Sequence, residues 1–380
     1  MIVGILGGGQ LARMLALAGT PLGLRFRCLD PSPDAVAGHV ADLVVGAYDD
    51  PAALARLVDG ADVVTFEFEN VPAHAAEWLQ HHARVAPAPS ALAIGQDRLL
   101  EKRLFQSLGM GVPRFAPADT LDELRDAVQQ VGVPCVVKTR KLGYDGKGQC
   151  RIHPGPDVDL AVRVAHAELT AGGSYRDGLI VEAFVPFQRE LSVLAVRGGD
   201  GSFACWPLVE NEHRKGILHR SRAPAPHLDP AIEQQAVGFA KRLLDHLGYV
   251  GVLAVELFEV DGKLMANEMA PRVHNSGHWT IEGSVCSQFE NHLRAVCGLP
   301  LGSTAMVAGH AATMVNLVGS MPDRGSLLRM EGVHVHAYGK SARAGRKLGH
   351  ATVVAPSRNE ADAAAEAVAA LPSGGDASWL

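Results

Sequence analysis

Residues 138–149, KTRKLGYDGKGQ, follow directly on the apolar run VPCVV and set Gly143, Gly146 and Gly148 among four basic side chains. A stretch with that much glycine and charge is not core. Lys138 ends an apolar strand, the glycines free the backbone that follows, and Lys147 adds charge near the tip. Such a loop folds its N–H groups over a triphosphate while the lysines offset the negative charge. It is not a P-loop, because G-x-x-x-x-G-K-[ST] does not occur and no helix-like run follows at once. Standing alone, it would read as a solvated hairpin tip.

It does not stand alone. Downstream lie EAFVPFQREL (182–191) and AVELFEVDGKLMANEMAPR (254–272), which carry carboxylates on apolar strands. Glu182 and Glu190 offer acceptors to an adenine amine and to ribose hydroxyls, and Glu256 and Glu268 offer oxygen to a hard cation. Together with the glycine loop they predict a magnesium nucleotide, with manganese as the substitute ion. For Glu256 and Glu268 to share one cation they must face the same side of a hairpin that turns at Asp261-Gly262. A strict two-residue turn would pair Glu256 with Asn267 and aim Glu268 at the other face. An odd-length loop or a bulge is therefore required.

The whole chain bounds the alternatives. Its 380 residues, 47% hydrophobic, suffice for two or three domains. With 35 Lys and Arg against 41 Asp and Glu, the net charge of −6 gives no basic footprint, so nucleic acid is not an expected partner. No apolar run reaches the ~18 to 20 residues of a membrane span, and IVGIL at the N-terminus lacks a basic n-region and cleavage site. A cytoplasmic protein without membrane contact is expected. The six cysteines form no CxxC pair and read as reduced core thiols.

The N-terminal stretch alternates strands (MIVGIL, RFRCLD, ADLVVG, ADVVTFEF) with helices (QLARMLALAG, PAALARLVDG), which predicts an α/β unit with a parallel sheet over 1–100. Residues 101–297 mix short strands and helices in α+β fashion, and 298–380 read as a small C-terminal domain. In the first unit Gly7, Gly9 and Ala12 fit G-x-G-x-x-A, with Asp30 closing the next strand, so a nicotinamide-dependent oxidoreductase is one reading. Physically the motif promises only backbone N–H groups at a helix N-terminus, open to any phosphate or carboxylate.

A lysine on a strand, a glycine loop, a carboxylate hinge and two metal-binding glutamates resemble the ATP-grasp superfamily. Within it GGGQLARML, TFEFENVP, GYDGKGQ, ENEHRKGIL, NEMAPRVHNSGHWT and YGKSARAGRKLGH resemble the 5-(carboxyamino)imidazole ribonucleotide synthetases of purine biosynthesis, nearly from end to end. The resemblance implies an N-terminal α/β domain, a central ATP-grasp domain with a lid, a small C-terminal domain and a homodimer. It implies ATP held by Arg98 and Lys138, by the loop Gly143, Tyr144, Asp145, Gly146, Lys147 and Gly148, by Glu182, Ala183 and Val185 at the hinge, and by Glu190, His213 and Asn267, with the metal on Glu256 and Glu268. Bicarbonate would take the γ-phosphoryl group beside Arg272, His274, Asn275 and Ser276, and the resulting carboxyphosphate would carboxylate aminoimidazole ribonucleotide under a lid that excludes water. The ribonucleotide's phosphate would meet the Gln10 and Leu11 turn with Lys340, Arg346 and Lys347. Glu67, with Glu69 beside it, would meet its ribose or amine side, and Tyr144, Asp145 and Lys147 would close over it.

The loop departs from the family pattern twice: Leu142-Gly143 stands where a glycine pair is expected, and Lys147 where an arginine is expected, giving charge without a bidentate fork. His274 and His278 lack a third ligand at zinc spacing, so they read as anion-binding or hydrogen-bonding groups. His81, His82, His334 and His336 read as structural or solvated, and only the resemblance lifts Lys340, Arg346 and Lys347 above an ordinary basic loop. Three function classes thus stand: an ATP-dependent carboxylating ligase with a formate-using ligase as its nearest rival, a dinucleotide oxidoreductase, and a nucleotide-binding module without catalysis.

Overall fold

Four short apolar runs near the N-terminus become β1 (Ile2–Leu6), β2 (Arg25–Asp30), β3 (Asp42–Val45) and β4 (Val63–Phe66), all parallel in the order β3-β2-β1-β4. Parallel strands this apolar need cover on both faces. The helices α1 (Gln10–Gly19), α2 (Pro51–Val58), α3 (Ala73–His82) and α4 (Pro89–Gly95) fill the connections. Helix α5 (Arg98–Ser107), capped by Asp97 on the Leu99 amide at 2.9 Å, leads into the next unit. The computed structural model describes residues 1–143, 147–171, 177–307 and 309–374.

A second sheet is small and antiparallel, in the order β5-β8-β6-β7, from β5 (Phe115–Ala118), β6 (Cys135–Thr139), β7 (Gln149–Ile152) and β8 (Leu179–Ala183). It carries α6 (Leu121–Val131), opened by a capping box between Thr120 and Glu123, and α7 (Val158–Thr170). Leu124, Val137, Ile152, Val162 and Val181 give this unit a core of its own. The glycine loop joins β6 to β7, so it sits at one edge of an independently packed body.

The third sheet has nine strands: β9 (Arg189–Arg197), β10 (Phe203–Cys205), β11 (Val209–Arg214), β12 (Ile217–Ala223), β13 (Gly251–Val260), β14 (Lys263–Ala270), β15 (Ala311–Val318), β16 (Val333–Ala337) and β17 (Lys347–Ala355). Its path runs β14-β13-β9-β11-β12-β15-β17-β16, with β10 paired to β9. Helices α8 (Pro230–His246), α9 (Thr280–Gly283), α10 (Gln288–Val296), α11 (Arg324–Leu328) and α12 (Arg358–Ala369) pack around it. The boundary expected at 298 lies in a connector, yet the sheet crosses it: β12 pairs antiparallel with β15, Arg220 opposite Val315. One apolar core likewise joins Val3 and Leu15 to Leu194 and Val252 and to Met314 and Tyr338.

The β13–β14 hairpin settles the facing question. From Val260↔Lys263 the pairing runs in step to Leu257↔Ala266, then skips Asn267 so that Glu256 lies opposite Glu268. Asn267 is the bulge that the spacing required. One extra residue on one strand turns the next side chain to the face it would otherwise miss.

Candidate functional site

A cavity of about 1370 Å³ opens where the three sheets meet. It is lined by Arg98, Lys138, Gly143, Lys147, Glu182, Ala183, Val185, Glu190, His213, Glu256, Asn267 and Glu268 at one end, by Arg272, His274 and Asn275 in the middle, and by Gln10, Leu11, Glu67, Glu69, Lys340, Arg346 and Lys347 at the other. Segments remote along the chain therefore converge as the sequence predicts. Tyr144, Asp145 and Gly146 lie outside the described residues. Gly148 sits behind the cavity wall with φ of 68°, in the left-handed region that glycine favours. Leu142 has φ of 63°. The leucine that departs from the family pattern thus occupies a conformation costing a side chain about 1–2 kcal/mol.

At the carboxylate end, burial and the facing Glu268 push the Glu256 carboxyl up to about 7. Two hard oxygen donors with excess negative charge fit a divalent cation that completes its shell with phosphate oxygens, as magnesium does. Among the described residues no group of three or more His, Cys, Asp or Glu is arranged as a metal cage. His213 Nδ1 lies 2.7 Å from Glu190 Oε2.

The hinge carboxylate is divided between two tasks. Glu182 is 3% exposed, with Oε2 2.9 Å from Lys138 Nζ and 3.4 Å from Lys102 Nζ, while Oε1 is buried with no partner among the described residues on a side chain that lines the cavity. The backbone from Glu182 to Val185 lies beside it, with Phe187 and Phe258 stacked at 4.7 Å on the same wall. Burial alone would raise the Glu182 carboxyl, but Lys102 and Lys138 outweigh it and hold it at about 2, against the ordinary 4.5. A depressed carboxyl stabilises the fold fully above its ordinary value and loses that share as pH falls through the depressed one. Glu182→Gln is accordingly expected to lower unfolding free energy by ~3 kcal/mol at pH 7, a gap to wild type that closes between about pH 5 and 2 in urea titrations. A gap independent of pH would overturn the assignment.

Arg98 also turns inward. Its Nη1 donates to the Thr139 carbonyl at 2.8 Å and its Nη2 to the Gly143 carbonyl at 2.7 Å, so it fixes the base of the glycine loop.

In the middle, Arg272 pairs with Glu69 through a short Nε to Oε2 bond. The Ser276 amide donates to His274 Nδ1 at 3.4 Å and its hydroxyl lies 2.8 Å away, while His274 Nε2 sits 3.5 Å from Glu256 Oε1. Burial, then Arg272, push the His274 imidazole well below its ordinary 6.5, so it is neutral. Ser276, expected among the anion-facing groups, is fully buried and does not line the cavity; its part is to orient His274. Both amide atoms of Asn275 are buried with no protein partner among the described residues. Buried polar atoms without partners mark a place where a ligand or water belongs.

The N-terminal turn disposes of the dinucleotide reading. Glu67 Oε1 accepts from the Gly9 amide at 2.6 Å and Oε2 from the Ala12 amide at 2.9 Å. Asp30 Oδ2 accepts from the Gly8 amide and the Tyr48 hydroxyl, each at 2.9 Å. Amides that would receive a pyrophosphate, and the Asp30 carboxylate that would receive a ribose, are instead taken up within the turn. Gly7 has φ of 110°, and a Cβ there would strike the Glu67 side chain. Glu67, expected on the ribonucleotide's ribose or amine, is thereby committed to holding α1. Among the described residues the Gln10 and Leu11 amides keep no protein acceptor, and Lys340 Nζ bonds Gln10 Oε1 beside them.

Sequence reasoning missed Glu101, Lys215, Tyr338 and Arg343, which share the cavity wall with His278. Phe258 was legible, two residues after Glu256 on one strand face.

Fold and site together define an ATP-grasp protein. The ATP-grasp domain model matches residues 103–289, the ribonucleotide synthetase preATP-grasp domain model 1–96, and the phosphoribosylaminoimidazole carboxylase C-terminal domain model 312–364. The chain is 50% identical over 353 residues to the N5-carboxyaminoimidazole ribonucleotide synthase of Pseudomonas aeruginosa, covering 93% of this chain and 94% of that one. It superposes on the N5-carboxyaminoimidazole ribonucleotide synthetase of Thermus thermophilus with a TM-score of 0.90 at 49% identity over 99% of both chains. The Aspergillus clavatus synthase, solved in complex with ADP and 5-aminoimidazole ribonucleotide, gives 0.86 at 30% identity over 97% of each. The chain belongs to the N5-carboxyaminoimidazole ribonucleotide synthase family. Membership sets aside the oxidoreductase, the formate-using ligase and the non-catalytic module.

Proposed function

We infer that the protein is an ATP-dependent carbon–nitrogen ligase of purine biosynthesis that carboxylates 5-aminoimidazole ribonucleotide with bicarbonate, giving N5-carboxyaminoimidazole ribonucleotide, ADP and phosphate. The observation that carries this reading is the convergence of paired carboxylates, a central anion cluster and a basic loop on one cavity. Phosphoryl transfer asks a protein mainly for positioning and charge neutralisation. Lys138 and the glycine loop take the triphosphate, and Glu256 and Glu268 hold magnesium, which when bound neutralises charge on the β- and γ-phosphates. Arg272 and the unpartnered amide of Asn275 receive bicarbonate, whose oxygen accepts the γ-phosphoryl group while the bond to ADP breaks.

The carboxyphosphate so formed breaks its C–O bond into carbon dioxide and phosphate, and the amine forms the new C–N bond to that carbon while its proton passes to the departing phosphate. His274, neutral and oriented by Ser276, lines the space between the phosphoryl group and the amine. The Gln10 and Leu11 amides at the start of α1, with Lys340, Arg346 and Lys347, bind the ribonucleotide's phosphate. Tyr144, Asp145 and Lys147 close over both substrates and keep water from the carboxyphosphate. The working protein is a cytoplasmic homodimer whose chain divides near 100, and near 298 only along the sequence, since the pairing of β12 with β15 carries one sheet across that point. No helix among the described residues is long and apolar enough to cross a membrane.

The test is an omission series. With ATP, magnesium, bicarbonate and aminoimidazole ribonucleotide present, ADP release is expected to fall to background when the ribonucleotide is left out. Release at an equal rate without it would sink the reading.

A further inference from the structure

Helix α5 presents Arg98, Glu101 and Lys102 at i, i+3 and i+4, on one face of its first turns. Glu101 and Lys102 are 3% and 1% exposed. A helical lysine so deeply enclosed must meet acceptors or give up its charge. Lys102 Nζ donates to the Asn267 carbonyl at 2.5 Å, and Glu101 Oε1 accepts from the Met269 amide at 2.6 Å. Two consecutive side chains thus grip the backbone on either side of Glu268. They do so on β14, an edge strand of the nine-stranded sheet, where no further strand among the described residues pairs with these groups. The residue whose carbonyl Lys102 holds is the bulge itself, the extra residue that turns Glu268 to face Glu256.

We propose that Glu101 and Lys102 are positioning residues for the metal-binding carboxylates: they stand in for a neighbouring strand, pin the Asn267 bulge, and hold Glu268 in register with Glu256. The same ammonium lies 3.4 Å from Glu182, so one helix ties the metal strand to the nucleotide hinge. Arg98, one turn earlier, ties the glycine loop to the same helix. An apolar side chain at 102 would fill the space, but it would leave the bulge free to slip by one residue and send the Glu268 carboxylate to the opposite face.

The inference rests on the metal role proposed for Glu256 and Glu268. Its test is a Mn2+ titration of the full chain with ADP, followed by electron paramagnetic resonance, beside ADP binding without metal. Partners behind metal ligands typically set affinity by about 10-fold or more, so Lys102→Met is expected to weaken Mn2+ binding by at least ~10-fold. Through the Glu182 contact its metal-free ADP binding is expected to weaken too, but by no more than about 3-fold, and its KM for the ribonucleotide to stay within about 3-fold of wild type. Should Lys102→Met fail to fold because Glu182 is stranded, Glu182→Gln against Glu182→Gln/Lys102→Met gives the same comparison with that carboxylate neutralised. Unchanged Mn2+ affinity, or equal weakening with and without metal, overturns the proposal. A wild-type protein that holds no Mn2+ beside ADP overturns the metal role of the two glutamates instead.

Discussion

Glu268→Gln is expected to cut turnover by about a thousandfold, ~4 kcal/mol of transition-state stabilisation, while raising the stability of the metal-free protein. Both effects come from the same geometry. Glu256 and Glu268 face each other across the bulged hairpin, and after burial the Glu268 charge is the chief cause that pushes the Glu256 carboxyl up to about 7. Glutamine keeps the shape and one oxygen but removes the charge, so a divalent cation loses an anionic ligand. The fold at the same time loses a like-charge pair, a relief worth about 0.5–1 kcal/mol. Initial rates of ADP release over a range of magnesium concentrations, together with thermal unfolding, check this. Full activity would remove Glu268 from the metal site, and a fall in stability would remove the like-charge account.

The second large effect is selective. Lys340→Ala is expected to raise the KM for aminoimidazole ribonucleotide by roughly 10- to 100-fold, the worth of one charged hydrogen bond to phosphate, with the KM for ATP changed by less than about 3-fold. Lys340 is held by Gln10, and Gln10 starts the helix whose open amides point at the same place. Burial lowers the Lys340 ammonium from its ordinary value while Glu67 opposes that shift, so a negative neighbour already favours the charged form. Equal rises in both KM values would refute the placement of Lys340 at the ribonucleotide end.

The elements that follow local periodicity were legible. The N-terminal strands and the hairpin turning at Asp261-Gly262 fall where patterning puts them, and the need for a bulge followed from counting residues back from that turn. What the pattern could not carry is where a polar side chain spends its bonding capacity. Glu67 and Glu182 have the right chemistry for ligands, yet Glu67 turns both oxygens to the amides of Gly9 and Ala12 and Glu182 gives one of its two to Lys102 and Lys138. Those partners lie far off in sequence, and periodicity reports only the face a residue occupies. Glu101 and Lys102 were invisible for the same reason: within DRLLEKRLF they look like the solvated side of an amphipathic helix. The unity of the large sheet was likewise hidden, because pairing of β12 with β15 spans the whole stretch between them.

That sheet has a consequence for anyone recombining relatives of this protein. Because β15, β16 and β17 continue the ladder that begins at β14, the last fifth of the chain is not a detachable module. A chimaera spliced in the connector before β15 would inherit a seam along Arg220 to Ala223, where backbone bonds and side-chain interdigitation must match between parents, so viable crossovers should concentrate instead around the separately packed unit of β5 to β8 with α6 and α7.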